Sequence, residues 1–224
     1  MPIPLVILAA TFGAATAAFL PRIAYRLAVP YGEPSRSTCA SCGVALSAWV
    51  RVGAFCSCSR VYVVTTATGA AVAALLAVAI GESPLLPVYL LAAVPALLLA
   101  MIDRRCLRLP DRLVGLLAFV AGVPLAVLRP ERIGPALVAG VVVLGVYLLL
   151  PGFGLGDVKL GAVLAFILGF AGWPAVAVGV IAPHLINGPI AGFLLLTRRA
   201  GRRQPLPFGP ALLAGALAAI ITTA

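Results

Sequence analysis

The chain has 224 residues, of which 63% are hydrophobic and only 10% are charged, and its mean hydropathy is +1.17. A soluble domain needs far more charge to cover its surface, so these values exclude an ordinary soluble protein. The formal net charge of +10 suggests nucleic acid as a partner. The basic residues instead follow the membrane topology described below, and we expect no nucleic-acid partner.

Apolar runs long enough to cross a bilayer recur along almost the whole chain, which predicts an all-α, polytopic helical membrane protein. About eight spans are expected; the sixth is short, so the count is seven or eight. No basic segment precedes the first run, and we therefore expect a retained helix and not a cleaved signal. The predicted spans are 3–20, 61–80, 87–102, 113–128, 135–150, 158–170, 175–196 and 208–222.

The basic residues predict the orientation of these spans. If the N-terminus faces outward, every lysine and arginine except Arg129 and Arg132 falls on the inner side. This is the positive-inside pattern, and arginines placed there also meet anionic lipid headgroups. We therefore expect membrane lipids as partners and a cytoplasmic Cys-rich loop (21–60), between a first transmembrane helix (1–20) and a membrane-embedded peptidase core (61–224).

Two aspartates are predicted to lie at one membrane face. Asp103 ends the third span in IDRRCLRLPD, and Asp157 opens the sixth in GFGLGDVKL. The chain crosses the membrane twice between them, which returns both carboxyl groups to the same side. Acids at membrane depth are costly and are therefore functional candidates. Asp103 stands at a helix C-terminus, where it cannot be an N-cap, whereas Asp111 fits that role well.

Two neighbouring carboxyl groups suit hydrolysis. Because like charges at close range cannot both ionise cheaply, the pair shares a proton, and one member activates a water while the other donates to the substrate carbonyl. The helix ends predict that Asp103 holds this proton. Gly154 and Gly156 would let a peptide backbone approach Asp157. Lys159 would hold Asp157 charged or orient the loop, with a cytoplasmic membrane anchor as its alternative role.

Four cysteines of the polar loop have the spacing of a metal site. Cys39, Cys42, Cys56 and Cys58 form CxxC and, after thirteen residues, CxC. Close thiolate pairs complete a tetrahedral, structural zinc site. A reducing cytoplasm argues against disulfides. The alternative to a zinc site is four free thiols in a loop that has lost its metal-binding role.

These motifs resemble those of the type IV prepilin peptidases, bacterial membrane aspartyl proteases of the GxGD class. GLGDVKL is similar to the second aspartate motif of that family, and IDRRCLRLPD to the first. PFGP at 207–210 and CASCG near the start also match family motifs. The resemblance implies that Asp103 and Asp157 are the catalytic pair and that Gly154, Gly156 and Lys159 belong to the active-site loop.

The resemblance also implies a substrate and a location. Prepilins or pseudopilins carry a short basic leader, which the family removes by cutting after a glycine at the cytoplasmic face of the bacterial inner membrane. The mature subunit then passes to the pilus or type II secretion assembly machinery. We expect the peptidase reaction itself to need no cofactor.

Longer family members also methylate the new N-terminus with S-adenosylmethionine. Here the loop is shorter than in those members and lacks the glutamate that commonly follows the cysteines. The sequence therefore leaves methylation open. It also leaves open a small transporter or channel with Asp103 and Asp157 as a proton or cation relay, and a GxGD intramembrane protease with other substrates.

Overall fold

The computed structural model describes residues 3–30, 32–39, 43, 45, 61–150, 152–197 and 207–224. This part of the chain contains eight α-helices, and a 3₁₀ turn at Pro130–Arg132 leads into the fifth. In chain order they are α1 (Ile3–Leu27), α2 (Val61–Ile80), α3 (Leu85–Cys106), α4 (Asp111–Leu128), α5 (Ile133–Leu149), α6 (Leu155–Gly169), α7 (Trp173–Leu196) and α8 (Gly209–Thr223).

The prediction of an all-α, polytopic membrane protein is confirmed. Each predicted span overlaps one helix, and six helices are long and apolar enough to cross a membrane. The helix Gly209–Thr223 is apolar but shorter. Many apolar side chains point away from the bundle, among them Ile7, Val141 and Phe193, as expected where lipid replaces water.

The first helix is longer than the sequence indicates. It continues through Pro21 to Leu27, so the first seven residues assigned to the polar loop are helical. Leu20, Pro21 and Ala24 are all buried. Pro21 has no N–H and costs the helix one backbone hydrogen bond, but the free energy gained by packing this segment is larger than that loss.

Helix α6 is the centre of the bundle. It contacts α4, α5, α7 and α8, and its buried residues cover about half of the helix surface. The half-buried face is apolar too, for example at Val163 and Phe166, so the helix has no amphipathic pattern. Asp157 stands in its first turn and is half-buried where the helix begins.

Helices α1 and α2 pack at a backbone-to-backbone distance that only small residues allow. A Cβ atom added to Gly13 would overlap the carbonyl oxygen of Gly69, and one added to Gly69 would overlap the Cβ of Ala17. Small residues at helix interfaces have this role in membranes. The glycines therefore set the spacing of the first helix pair.

We expect Gly13→Ala to destabilise the protein by about 1–3 kcal/mol, because the helices must separate to admit one methyl group. A Cβ on Gly145 of α5 would meet nothing within 4 Å. Gly145→Ala is therefore the matched control, and its better helix propensity should leave stability unchanged or raise it by up to about 1 kcal/mol. Thermal unfolding in detergent measures both, and equal midpoints for the two variants would contradict the close packing.

Candidate active site

The first aspartate, Asp103, is buried at the end of α3. Its side chain is 4% exposed. Its Oδ2 accepts a hydrogen bond of 3.0 Å from the backbone N–H of Gly209. That donor is the first residue of α8, where backbone N–H groups have no partner within their own helix. The N-terminus of α8, which lies 106 residues further along the chain, thus holds the carboxyl group of Asp103 in place.

The second aspartate, Asp157, lies in the first turn of α6, whose N-cap is Gly154. It precedes the predicted membrane-spanning stretch 158–170. Burial raises the pKa of Asp157 to about 6, the charge of Asp103 raises it too, and the backbone N–H of Gly154 opposes both effects. Its Oδ1 is buried with no hydrogen-bond partner in the described part of the chain.

The fold therefore brings the two aspartates together. Asp103 ends α3 and Asp157 begins α6, and the carboxyl groups are close enough that the charge of one acts on the other. Such a pair favours one shared proton. It can deprotonate a water molecule with one member while the other donates a proton to a carbonyl oxygen.

The hydrogen bonds place this proton differently from the expectation based on helix ends. A bond from a backbone N–H to a charged carboxylate contributes about 1.5–3 kcal/mol, whereas a helix dipole typically contributes about 0.3–1 kcal/mol. Asp103 accepts such a bond from Gly209. The backbone N–H of Gly154 acts on Asp157 in the same way, but Oδ1 of Asp157 is buried without a partner in the described part of the chain, and the pKa of Asp157 is still raised to about 6. These surroundings favour the anion at Asp103 and the proton at Asp157.

The glycines around Asp157 have distinct roles. Gly152 has a φ of 101°, a left-handed conformation that side chains disfavour, so the loop needs glycine there. A Cβ on Gly156 would lie 3.1 Å from the Cβ of Leu109, in the loop that follows Asp103. The missing side chain of Gly156 thus allows the two aspartate motifs to approach each other.

Lys159 contacts Asp111 and not Asp157. Its Nζ lies 2.8 Å from Asp111 Oδ1, and the two side chains are 50% and 71% exposed. The prediction that Asp111 caps α4 is wrong: the cap position is Pro110, and Asp111 is the first helical residue. The extended backbone of Pro110 suits a position before a helix, and this leaves the Asp111 carboxylate available to Lys159.

Because both partners of this ion pair are exposed, we expect it to contribute little. A double-mutant cycle with Lys159→Met and Asp111→Asn should give a coupling of less than about 1 kcal/mol in thermal unfolding. A larger coupling would show that the pair is shielded from solvent and fixes α6 against α4.

Four rings line the site, and the sequence motifs do not identify them as a group. Tyr147 stacks on Phe153 with ring centroids 4.7 Å apart, and Phe153 meets Phe208 edge-on at 5.2 Å. His184 approaches Phe208 at 5.4 Å. A Cβ on Gly161 would lie 2.5 Å from the ring of Tyr147, so this glycine makes room for it.

These rings form a wall that joins α5, the glycine loop, α7 and α8. Phe153 and Phe208 lie within the quoted segments GFGLGDVKL and PFGP, whereas Tyr147 and His184 stand alone in apolar helices and match no family motif. The Nδ1 of His184 lies 2.8 Å from the carbonyl oxygen of Val180, so this ring is held within its own helix. The sequence thus missed the apolar side of the site.

Only the first predicted zinc ligand, Cys39, lies within the described residues; Cys42, Cys56 and Cys58 lie outside them. The carbonyl of Cys39 accepts a 2.9 Å hydrogen bond from the N–H of Gly43, whose φ is 67°. The zinc site therefore stays a prediction.

Comparison with known proteins gives two matches. The model of the type IV leader peptidase family matches residues 90–221, a range that holds both aspartates and the glycine loop. The prepilin leader peptidase/N-methyltransferase of Bacillus subtilis (strain 168) is 40% identical over 70 residues. That alignment covers 31% of this chain and 27% of the relative, so it spans about a quarter of the relative's length. No solved structure matches the chain.

Proposed function

The chain belongs to the type IV leader peptidase family, and from this premise we propose that it is a prepilin leader peptidase with Asp103 and Asp157 as its catalytic pair. One observation carries the proposal. Two carboxyl groups from helices separated by two predicted membrane crossings lie within electrostatic range, with one held by a backbone N–H. A structural role would not require two acids in one partly buried place, because desolvation and mutual repulsion both oppose their ionisation.

The proposed reaction is hydrolysis of one peptide bond. The carboxylate of Asp103 takes a proton from a water molecule, whose oxygen attacks the carbonyl carbon. Protonated Asp157 donates to the carbonyl oxygen, which gives a tetrahedral intermediate with two hydroxyl groups. Its C–N bond then breaks: Asp103 gives its proton to the leaving amine, and one hydroxyl of the intermediate returns a proton to Asp157. Gly154 and Gly156 keep the approach to Asp157 clear of side chains, and the aromatic wall reduces access of bulk water.

The proposed substrates are prepilins or pseudopilins, which would be cut at the cytoplasmic face of the bacterial inner membrane. The resemblance to the family supports the substrate class, and the positive-inside pattern supports the orientation. The mature products would pass to pilus or type II secretion assembly machinery. No nucleic acid takes part.

Cleavage of a purified prepilin by the purified protein in detergent tests the proposal. We expect a product shorter by the leader, identified by its mass, and no cleavage of the same prepilin with its leader glycine replaced. A folded protein that cuts no prepilin would overturn the proposal. Equal cleavage of unrelated transmembrane helices would favour a broader intramembrane protease, and proton flux through liposomes without cleavage would favour a transporter.

Methylation is a separate question. The name of the Bacillus subtilis relative includes an N-methyltransferase, whereas the loop of this chain lacks the glutamate that commonly follows the cysteines in the family. Incubating the cleaved pilin with S-adenosylmethionine and this protein decides the matter, because a methyl group adds a defined mass to the new N-terminus.

We further propose a structural zinc ion bound by Cys39, Cys42, Cys56 and Cys58. The spacing of the four cysteines, CxxC followed by CxC, supports this proposal. We expect about one zinc per purified chain, measured by elemental analysis, because four thiolates complete a tetrahedral site. Cys39→Ser should lose most of this zinc, whereas Cys106→Ser, outside the motif, should retain it. Equal zinc in the two variants would exclude the assignment.

A further inference from the structure

A large apolar cavity separate from the aspartate pair opens between α2, α3 and α8. Its volume is about 720 Å³, within the range of sites that hold small ligands. Small and branched apolar side chains line it along most of the length of α3 and α8, for example Ala93, Ala96, Ala100, Leu213 and Leu217. Asp103 does not line it, because its carboxyl faces Gly209.

The end of this cavity near Asp103 is strongly basic. Arg104 and Arg105 line it there, and both side chains are exposed. Neither arginine has an acidic side chain at salt-bridge distance among the described residues, where the ion pair found joins Lys159 and Asp111. Arg105 lies over the ring of Tyr25, and Arg36 lies over the same ring. This end therefore holds two positive charges at the mouth of the apolar cavity, and Arg36 lies beside the second of them.

From this arrangement we propose that the cavity binds one anionic phospholipid, with an acyl chain between α3 and α8 and the phosphate at Arg104 and Arg105. Basic pockets between transmembrane helices on the cytoplasmic side suit such headgroups. A prepilin leader is basic by the family resemblance, so the same arginines would repel it. Charge complementarity thus selects the lipid over the substrate.

Lipid retention by the purified full-length protein tests this directly and does not depend on peptidase activity. The protein is purified in neutral detergent, titrated with phosphatidylglycerol or phosphatidylcholine, and examined by native mass spectrometry. We expect one phosphatidylglycerol per chain, and markedly less phosphatidylcholine at the same concentration. Equal retention of the two lipids would overturn the proposal.

Two variants separate the charged from the apolar half of the site. R104Q/R105Q should bind phosphatidylglycerol roughly 30-fold more weakly, since each arginine near a headgroup contributes on the order of 1 kcal/mol. Arg112→Gln is the matched control, because Arg112 is exposed at the start of the next helix and does not line the cavity. It should bind like the unmodified protein.

Ala96→Phe leaves every charge in place but fills the channel, so it should also lose the lipid. This variant decides the outcome if R104Q/R105Q does not fold. Binding by Ala96→Phe equal to that of the unmodified protein would mean that the acyl chain lies elsewhere and would overturn the proposal. Binding of a prepilin that competes with phosphatidylglycerol and is lost in Ala96→Phe would assign the cavity to the substrate instead.

Discussion

Asp103→Asn and Asp157→Asn are each expected to lower the rate of prepilin cleavage by roughly 10³-fold or more. The substitution keeps the size and shape of the side chain, and an asparagine at position 103 can still accept the Gly209 hydrogen bond through its carbonyl oxygen. What is lost is the proton exchange, because an amide neither takes up nor releases a proton near neutral pH. Initial rates of leader removal with purified protein measure the effect.

The matched control is Asp111→Asn. Asp111 lies at the same end of the bundle, and its exposed carboxylate pairs with Lys159, not with the aspartate pair. We expect this variant to cleave within a few-fold of the unmodified rate. If Asp103→Asn or Asp157→Asn retained comparable activity while melting normally, the assignment of the catalytic pair would be wrong.

Gly209→Ala is expected to reduce cleavage by about 10²-fold, although residue 209 would not act chemically. A Cβ there would lie 2.9 Å from Asp103 Oδ2 and 3.1 Å from its Cγ. Either the carboxyl or the start of α8 must move, which breaks the hydrogen bond that positions Asp103. Displacements of about 1 Å at reacting groups have effects of this size.

Gly188→Ala in α7 controls for the effect of alanine at a helical glycine, since a Cβ there would meet nothing within 4 Å. It should cleave at the unmodified rate. Because Gly209→Ala acts on positioning, we expect its kcat to fall while KM changes little. Full activity in a folded Gly209→Ala protein would show that the contact with Asp103 has no part in the reaction.

The amino-acid sequence by itself determined the class of protein and the place of the two aspartates along the helices. Long apolar runs have few structural solutions in a bilayer, so helix number and approximate bounds follow from hydropathy. The positions of Asp103 and Asp157 at helix ends follow from these bounds and from their glycine- and proline-containing motifs. Local chemistry decides each of these features, and local chemistry can be read along the chain.

Only the tertiary structure decided what surrounds the aspartates. The donor to Asp103 comes from Gly209, and the aromatic wall includes Tyr147 and His184 from two other helices. In a chain this apolar, many helix faces are chemically alike. Which helices pack against each other therefore depends on the close fit of glycine, alanine and aromatic side chains. That packing is a property of the assembled bundle, and hydrophobic periodicity does not encode it.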